Sequence, residues 1–415
     1  MKGRIMRMFS LMLVVSMLAG CSVLDMAGGA RKTEKAAVSG SAAAEIVSSE
    51  QSGENRSYKK NSDNWYDVDG DSDENVLIQY RPDGTPVKRI KMDIADVEWV
   101  TDDFVYYVTV DNKLRDVLWR IPIRKTGQGD QLQTDQKEKL LKAYSMTVVY
   151  ATEAYLVLSV WDKDKYTMSR YDCRTGEMTE LLTTAEDEGP DVLWGDQYPL
   201  MWQGKLLVSY QGEQLLTLVP ETGETGSLYA HKGLYIEDYV FTGDDLYFFL
   251  ENDLYRLRCS KKEMKCVCSE KEFAKAVEKL RPGKETGFEA REMYLDQGRL
   301  YFRIYMEYSE RDKVSGDKVY YQKDELFHVS IDDPGTIIYE DKLMDYLDRK
   351  GYEVNETKSG IRGYYTATID GIRSGKCIAS YGEDVSEQRY ILYDLQTGGI
   401  EDMAELPGEY IDLLF

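Results

Sequence analysis

Alternating acidic residues between positions 67 and 73 form the first pattern in the sequence with a recognisable chemistry. Ser72 stands at the sixth position of this run, where an EF-hand needs glycine, and Ile78 at the twelfth, where it needs glutamate. A solvated acidic turn is therefore the favoured interpretation, and a calcium site is the alternative. The carboxylates with the spacing that wraps oxygen ligands around Ca²⁺ are Asp67, Asp69, Asp71 and Asp73.

Histidine is scarce in this sequence, and the short motifs of the common enzyme classes are missing from it. The sequence has only two histidines, and His328 falls inside a predicted strand, where a hydrogen-bonded structural imidazole is the common case. The sequence lacks a Gly-x-Ser-x-Gly elbow, a phosphate loop, a dinucleotide fingerprint and a Cys-x-x-Cys pair. We therefore favour a protein that is not an enzyme and, apart from the calcium alternative, expect no cofactor.

Three of the six cysteines lie close together in the sequence. Cys266 and Cys268 are alternate residues of one predicted strand, about 6.5–7 Å apart, which is too far for an easy disulfide. Cys259 lies across the same hairpin and could reach one of them. Structural disulfides and free thiols are the favoured interpretations. A site for a soft metal is a third interpretation, and it is less favoured because no histidine lies beside these residues.

The many carboxylates and aromatic rings are compatible with glycoside hydrolysis or glycan binding. Two carboxylates about 5–10 Å apart can hydrolyse a glycosidic bond. The 32 tyrosines and 6 tryptophans suit stacking against sugar rings or gripping a peptide, although tyrosine also favours strands for packing reasons. A carbohydrate-active enzyme or a glycan-binding module is therefore the alternative to a purely protein-binding role.

The charge balance excludes one class of partner. The chain has 74 acidic residues against 52 lysines and arginines, for a formal net charge of −22. Nucleic-acid binding needs a basic surface that displaces counterions, and a strongly acidic protein repels phosphate. The hydrophobic fraction of 42% is large enough for a folded core. We expect a folded domain that does not bind nucleic acid.

The first twenty residues have the order of a secretory signal. Three cations, Lys2, Arg4 and Arg7, precede an apolar run that is too short to span a bilayer as a permanent helix. The run ends in Leu18-Ala19-Gly20-Cys21, which resembles the lipobox of bacterial lipoproteins. The resemblance implies cleavage before Cys21 and attachment of diacylglycerol and palmitate-like acyl chains to it. It thus implies a protein anchored by lipid on the extracytoplasmic face of the cell membrane.

Residues 21–60 follow as a predicted flexible tether. The segment is rich in Ala, Gly, Ser, Glu and Lys and has no sustained hydrophobic period. A random coil of this length reaches about 35 Å, so the folded domain can clear the lipid surface.

From residue 64 to 415 two kinds of hairpin alternate. The first combines an apolar strand with a polar turn that usually ends in glycine; its copies are 76–84, 117–127, 168–176, 215–223, 254–262, 326–335 and 390–398. The second lies between these copies, at 97–108, 148–160, 198–210, 237–250, 293–305 and 364–380. Units of four strands with a period of about 40–50 residues are typical of a β-propeller.

We expect an all-β, seven-bladed propeller, with six or eight blades as alternatives. The first unit lacks an innermost strand, and the final apolar segment Tyr410–Phe415 is predicted to supply it and close the ring. In phrases such as Asp245-Leu-Tyr-Phe-Phe and Leu254-Tyr-Arg-Leu the domain resembles bacterial TolB-like and low-density-lipoprotein-receptor-type propellers.

Three insertions are predicted on one face of the ring, and we call them the crest. They are residues 270–280 and 341–360, each containing a short helix, and the charged segment 308–324. Recognition usually lies on long loops of a rigid scaffold, although the apolar stripes of both helices would also suit simple capping of the propeller. Our leading hypothesis is that this face binds a protein or cell-envelope partner. The candidate contacts are Phe273, Tyr308, Glu310 and Tyr346 of the crest, with Trp161 and Trp194 in loops of the same face.

Overall fold

The computed structural model describes residues 59–60, 64–69, 76–81, 85–92, 94, 96–127, 129–162, 165–184, 189–194, 199–231, 233–234, 236, 238–282, 286–311, 318–350, 352–357, 360–365, 367–382 and 388–404. The predicted signal peptide, Cys21 and most of the tether lie outside these residues, as does Tyr410–Phe415. No helix in the described ranges is both long and apolar enough to span a membrane.

The described strands form seven sheets that follow one another along the chain. Sheet 1 contains β1 (Lys59–Lys60), β2 (Trp65–Asp69), β3 (Val76–Tyr80) and β4 (Pro86–Lys91). Sheet 2 contains β5 (Asp96–Val100), β6 (Phe104–Val110), β7 (Asp116–Thr126), β8 (Gly129–Leu132) and β9 (Glu138–Ala143). Sheet 3 contains β10 (Ser145–Ala151), β11 (Tyr155–Asp162), β12 (Lys165–Asp172) and β13 (Met178–Thr184).

The other four sheets continue the same order. Sheet 4 contains β14 (Asp191–Val192), β15 (Met201–Trp202), β16 (Lys205–Tyr210), β17 (Gln214–Leu218) and β18 (Thr225–Ala230). Sheet 5 contains β19 (Tyr239–Thr242), β20 (Asp245–Leu250), β21 (Asp253–Arg258) and β22 (Glu263–Cys268). Sheet 6 contains β23 (Gly287–Asp296), β24 (Arg299–Arg311), β25 (Lys318–Ser330), β26 (Ile338–Tyr339), β27 (Tyr352–Thr357) and β28 (Gly360–Tyr365). Sheet 7 contains β29 (Thr368–Arg373), β30 (Lys376–Tyr381), β31 (Arg389–Asp394) and β32 (Ile400–Met403).

This succession of small sheets is a seven-bladed β-propeller, which confirms the predicted fold and its preferred blade count. Two helices interrupt the strands: α1 (Glu270–Leu280) joins sheets 5 and 6, and α2 (Asp341–Lys350) follows β26. Both helices lie where the sequence predicted them.

Alternate residues of the middle strands pack against different neighbouring sheets. In β16, Leu206 and Val208 face sheet 3, whereas Leu207 between them faces sheet 5. All three are fully buried, and burying such a side chain contributes about 1.5–3 kcal/mol. Six hydrophobic clusters of this kind fill the interfaces from sheet 1 through sheet 7. Two-sided burial explains why these strands are continuous apolar runs.

Three of the five described glycines at the turn of the first hairpin type have the predicted positive φ, whereas Gly127 and Gly335 do not. Gly176, Gly223 and Gly398 have φ values of +74°, +76° and +71°. Lys262, the residue at this position in the repeat without glycine, also takes a positive φ, +52°. In these copies the turn is left-handed even at Lys262, a residue type that rarely adopts this conformation.

Sheet 1 differs from the prediction at its first edge. The sequence predicted no strand of the first unit at this edge. In the structure, β1 pairs there with β2, and Lys60 lies opposite Trp65. These two lysines belong to the segment predicted as tether. The predicted closure by Tyr410–Phe415 lies outside the described residues.

Candidate functional site

The apolar stripes of both crest helices are buried against the sheets. The ring of Phe273 in α1 is fully buried, with its centroid 6.1 Å from that of Phe249 and 5.3 Å from that of Phe302. Leu343 and Leu347 of α2 are likewise buried, between sheets 6 and 7. Contrary to the prediction, Phe273 belongs to the core and is not available to a partner.

A buried ion network fixes the crest to strand β25. Glu325 has no exposed surface; Arg281 donates to its Oε1 at 3.0 Å, and Lys323 Nζ lies 2.7 Å from the same oxygen. Lys323 also lies 2.5 Å from Asp348 of α2, and the Tyr339 hydroxyl donates to Glu325 Oε2 at 2.7 Å. Burial raises the pKa of the Glu325 carboxyl, while these neighbours oppose the rise. Arg281 follows α1 directly, so its bond to Glu325 joins α1 to β25. The pair of Lys323 with Asp348 joins α2 to the same strand.

The long β24–β25 hairpin carries the predicted contact Tyr308. Its ring is half-buried and stacks on Tyr321 with centroids 5.0 Å apart, and the Arg281 guanidinium lies 5.2 Å from the same ring. Tyr320, which the sequence analysis did not single out, is 48% exposed. Glu310 lies in β24, and its side chain is outside the described part of the chain. Tyr320 is therefore an accessible aromatic ring of this hairpin.

Tyr346 of α2 uses its hydroxyl inside the protein. The hydroxyl donates to Asp402 Oδ2 at 2.9 Å, and the Tyr381 hydroxyl donates to the same oxygen at 2.9 Å. Arg389 lies 2.8 Å from Asp402 Oδ1, and Lys350 Nζ lies 5.7 Å from the Tyr346 ring. The half-buried Tyr346 therefore attaches α2 to sheet 7.

Trp161 belongs to an aromatic group in another part of the ring. It stacks on Tyr166, with centroids 5.9 Å apart, and Tyr144 meets it edge-on at 4.7 Å. Tyr144 is 44% exposed. This group lies at sheet 3, whereas the crest belongs to sheets 5 to 7, so Trp161 and the crest residues are placed apart around the ring.

Trp194 lines a pocket between the innermost strands of sheets 4, 5 and 6, which we call the axial pocket. Its volume is about 260 Å³, and its lining residues are Trp194, Asp238, Tyr239, Glu292, Met293 and Tyr294. The backbone N–H of Trp194 donates to the Tyr239 hydroxyl, which holds the two rings of the wall together. The pocket thus combines three aromatic rings with two carboxylates.

The acidic wall arises from a repeated irregularity that sequence reasoning missed. The first strands of sheets 2, 3, 6 and 7 each shift register by one residue, and the extra residues are Glu98, Val149, Glu292 and Asp370. Such bulges redirect a side chain and are frequent beside active sites. Glu292 adopts φ +49°, which is costly for a residue with a Cβ. An alignment of the repeats would have placed these four extra residues at one position and shown that three of them are acidic.

A buried arginine lies behind this wall. Arg303 is 8% exposed and donates to Glu292 Oε1 and, at 3.3 Å, to the carbonyl of Ile369. Glu292 Oε2 accepts a hydrogen bond from the Tyr294 hydroxyl at 3.2 Å. Burial lowers the pKa of the Arg303 guanidinium and raises that of the Asp370 carboxyl. The arrangement can orient a polar ligand, and both oxygens of Glu292 already accept hydrogen bonds.

The calcium alternative receives no support from the described residues. Asp67 and Asp69 lie in β2, and Asp71 and Asp73 lie outside the part of the chain that the structure describes. Within that part, no group of three or more His, Cys, Asp or Glu residues is placed to hold a metal ion.

The cysteines and His328 have structural positions. Cys259 is buried between sheets 4 and 5, Cys268 is buried between sheets 5 and 6, and Cys266 is exposed, so these thiols are free and do not form the predicted disulfide or a shared metal site. His328 is buried, with Nδ1 2.7 Å from Glu340 Oε1, as expected for a structural imidazole.

Comparison with known proteins identifies no family. No family model matches the sequence, and no curated protein matches it. Similar solved structures include one from a study of two prolyl endopeptidases (TM-score 0.46, 11% identity, 84% of this chain and 50% of that chain) and oligopeptidase B from Leishmania major (0.40, 13%, 82% and 45%). The computationally designed Ika8 protein is also similar (0.40, 10%, 85% and 89%). This chain therefore spans about half the length of the two peptidase structures.

The ion network makes a prediction about stability. Lys323→Met should lower the free energy of unfolding by about 3 kcal/mol, because it leaves the buried Glu325 with one cation fewer. Lys165→Met is the matched control, because its ion pair with Glu180 is largely exposed and should contribute far less than the buried network. Urea denaturation of the full chain measures both. Equal losses in the two variants would contradict the structural role of the network.

Proposed function

We propose that this protein is a lipid-anchored, extracytoplasmic β-propeller that binds a protein or another component of the cell envelope. The proposed anchor is Cys21 in its lipobox-like sequence, and the proposed binding surface is the face that carries the crest. The resemblance to TolB-like propellers supports a role in binding rather than in catalysis. The acidic net charge of −22 supports a body that is held by its lipid and not adsorbed on anionic headgroups.

The rigid attachment of the crest is the observation that carries this proposal. Both helices bury their apolar stripes, and Glu325 and Lys323 tie them to β25. The outward side of α1 stays exposed and charged, with Lys271, Lys275 and Glu278 among its residues. A surface that is ordered before binding loses little conformational entropy when a partner docks, so such insertions favour recognition.

Because both helices are packed into the core, deleting them is not a suitable test of binding. Deleting α1 or α2 would open the core between the sheets, since Phe273 and Leu347 are fully or almost fully buried. Loss of binding in such deletions would report unfolding. Single surface positions are therefore the appropriate probes.

Lipid attachment is tested by substituting the acceptor thiol. Cys21→Ser should abolish incorporation of a labelled palmitate analogue and move the protein from the membrane fraction to the soluble fraction. Cys266→Ser is the control, because Cys266 is an exposed free thiol of the folded domain and should leave labelling unchanged. Undiminished labelling of the Cys21→Ser protein would contradict the anchor.

Partner binding is tested by site-specific photocrosslinking in whole cells. A photoreactive amino acid at Lys275 or Tyr320, both exposed on the crest, should give one discrete crosslinked product. The same amino acid at Lys261, in a hairpin turn of the opposite face, or at Met178, the first residue of β13 after such a turn, should give none. Products of equal yield from both faces, or from the opposite face alone, would rule out the crest as the binding surface.

A further inference from the structure

We infer that the axial pocket binds the ring of a neutral, hydroxyl-rich ligand, that is, a single sugar residue or one residue of a longer glycan. This inference concerns a different part of the molecule from the crest and does not rest on the partner proposed there. It is carried by the rings and carboxylates of the pocket's walls and by the arginines that already pair with two nearby carboxylates.

The walls suit a small ring with apolar faces and polar edges. Trp194, Tyr239 and Tyr294 supply aromatic surface against which the C–H faces of a sugar can pack, and Asp238 and Glu292 supply acceptors for its hydroxyl groups. The volume of about 260 Å³ lies just below the roughly 300–1,000 Å³ of pockets that enclose drug-sized ligands. The pocket therefore has room for about one ring.

Two buried atoms behind the wall lack hydrogen bonds among the described residues. Arg303 Nε is a donor without an acceptor, and Asp370 Oδ2 is an acceptor without a donor. They belong to one neighbourhood, because Arg303 bonds both Glu292 of the pocket wall and the carbonyl of Ile369, the residue before Asp370. Leaving such groups unpaired costs about 1–3 kcal/mol each. A hydroxyl group both accepts and donates, but both atoms are closed to solvent and neither residue lines the pocket, so a ligand seated against the walls does not reach them directly.

Two arginines beside the pocket reduce its attraction for a cation. The Glu292 carboxylate already pairs with Arg303, and Asp324 pairs with Arg291 at 2.7 Å. Two of the nearby carboxylates are thus compensated by arginines that the protein itself provides. An organic cation would therefore have Asp238 and Asp370 as its further carboxylates, whereas a neutral ring needs no counter-ion, and titration with tetramethylammonium separates the two cases.

The same contacts favour binding over hydrolysis. A glycosidase needs one carboxyl group that gives up a proton and a second that acts as a base or nucleophile. Both oxygens of Glu292 accept hydrogen bonds from side chains of the protein, from Arg303 and from Tyr294. Glu292 is therefore arranged as a fixed acceptor.

The experiment titrates the full chain, purified in detergent, with glucose, galactose and N-acetylglucosamine, and separately with tetramethylammonium chloride. Binding is measured by isothermal titration calorimetry and by tryptophan fluorescence, which reports on Trp194 in the wall. The test variants are Trp194→Leu and Asp238→Asn. Glu180→Gln is the control, since Glu180 lies on the exposed surface of sheet 3. Melting temperatures identify any variant that loses its fold.

We expect saturable binding of at least one of the three sugars and none of tetramethylammonium. Both test variants should weaken the sugar affinity about tenfold or more, while Glu180→Gln leaves it unchanged. Binding of tetramethylammonium in preference to the sugars would overturn the inference. So would the absence of sugar binding well above millimolar concentration, or sugar binding that folded pocket variants retain in full.

Discussion

Sheets 2 to 6 of this propeller each pack against a neighbouring sheet on both faces, so their middle strands must be apolar on both sides. Leu206, Leu207 and Val208 show the requirement in three consecutive residues, since the outer two pack on one neighbouring sheet and the central one on the other. A shift of one residue in a strand would exchange these contacts at two interfaces together. The stacking therefore fixes the register of every sheet and, with it, the direction in which each connection leaves the ring.

The axial pocket and the crest lie where the stacking of the sheets does not constrain the chain. The innermost strands face the axis, and the register shifts in those strands redirect the side chains of Glu292 and Asp370. The connections that leave one face can lengthen without disturbing the stacking, and sheets 5 to 7 carry the crest there. Glu325 and Lys323 then make that insertion part of the same rigid body. The same scaffold thus carries the crest on one face and the axial pocket among its innermost strands.

The fold was predictable because its signal is periodic. Two alternating hairpins identified the propeller and its seven units, and the positive φ expected in the hairpin turn extends even to Lys262, which lacks the usual glycine. The helical spacing of Phe273 and Val277 placed α1 correctly. Periodicity alone cannot say whether an apolar stripe is covered by the protein or by a partner, which is why Phe273 was misassigned.

The site was less predictable because it depends on contacts between distant parts of the chain. Trp194 was singled out, but its pocket neighbours Asp238 and Glu292 come from two other sheets and have no local motif. Glu325 and Arg281 are 44 residues apart, and nothing in the sequence marks them as a pair. Pairings of this kind depend on the register of the sheets, which the repeat pattern defines only approximately.

Amide hydrogen exchange of the full chain tests most directly whether the crest is part of the rigid propeller. The stacking and the ion network predict that α1 and α2 exchange as slowly as the middle strands of sheets 5, 6 and 7, and that Lys323→Met accelerates exchange in α2 and in β25 together. Fast exchange of both helices in the unaltered protein, with slow exchange confined to the strands, would contradict a crest that is ordered before it binds.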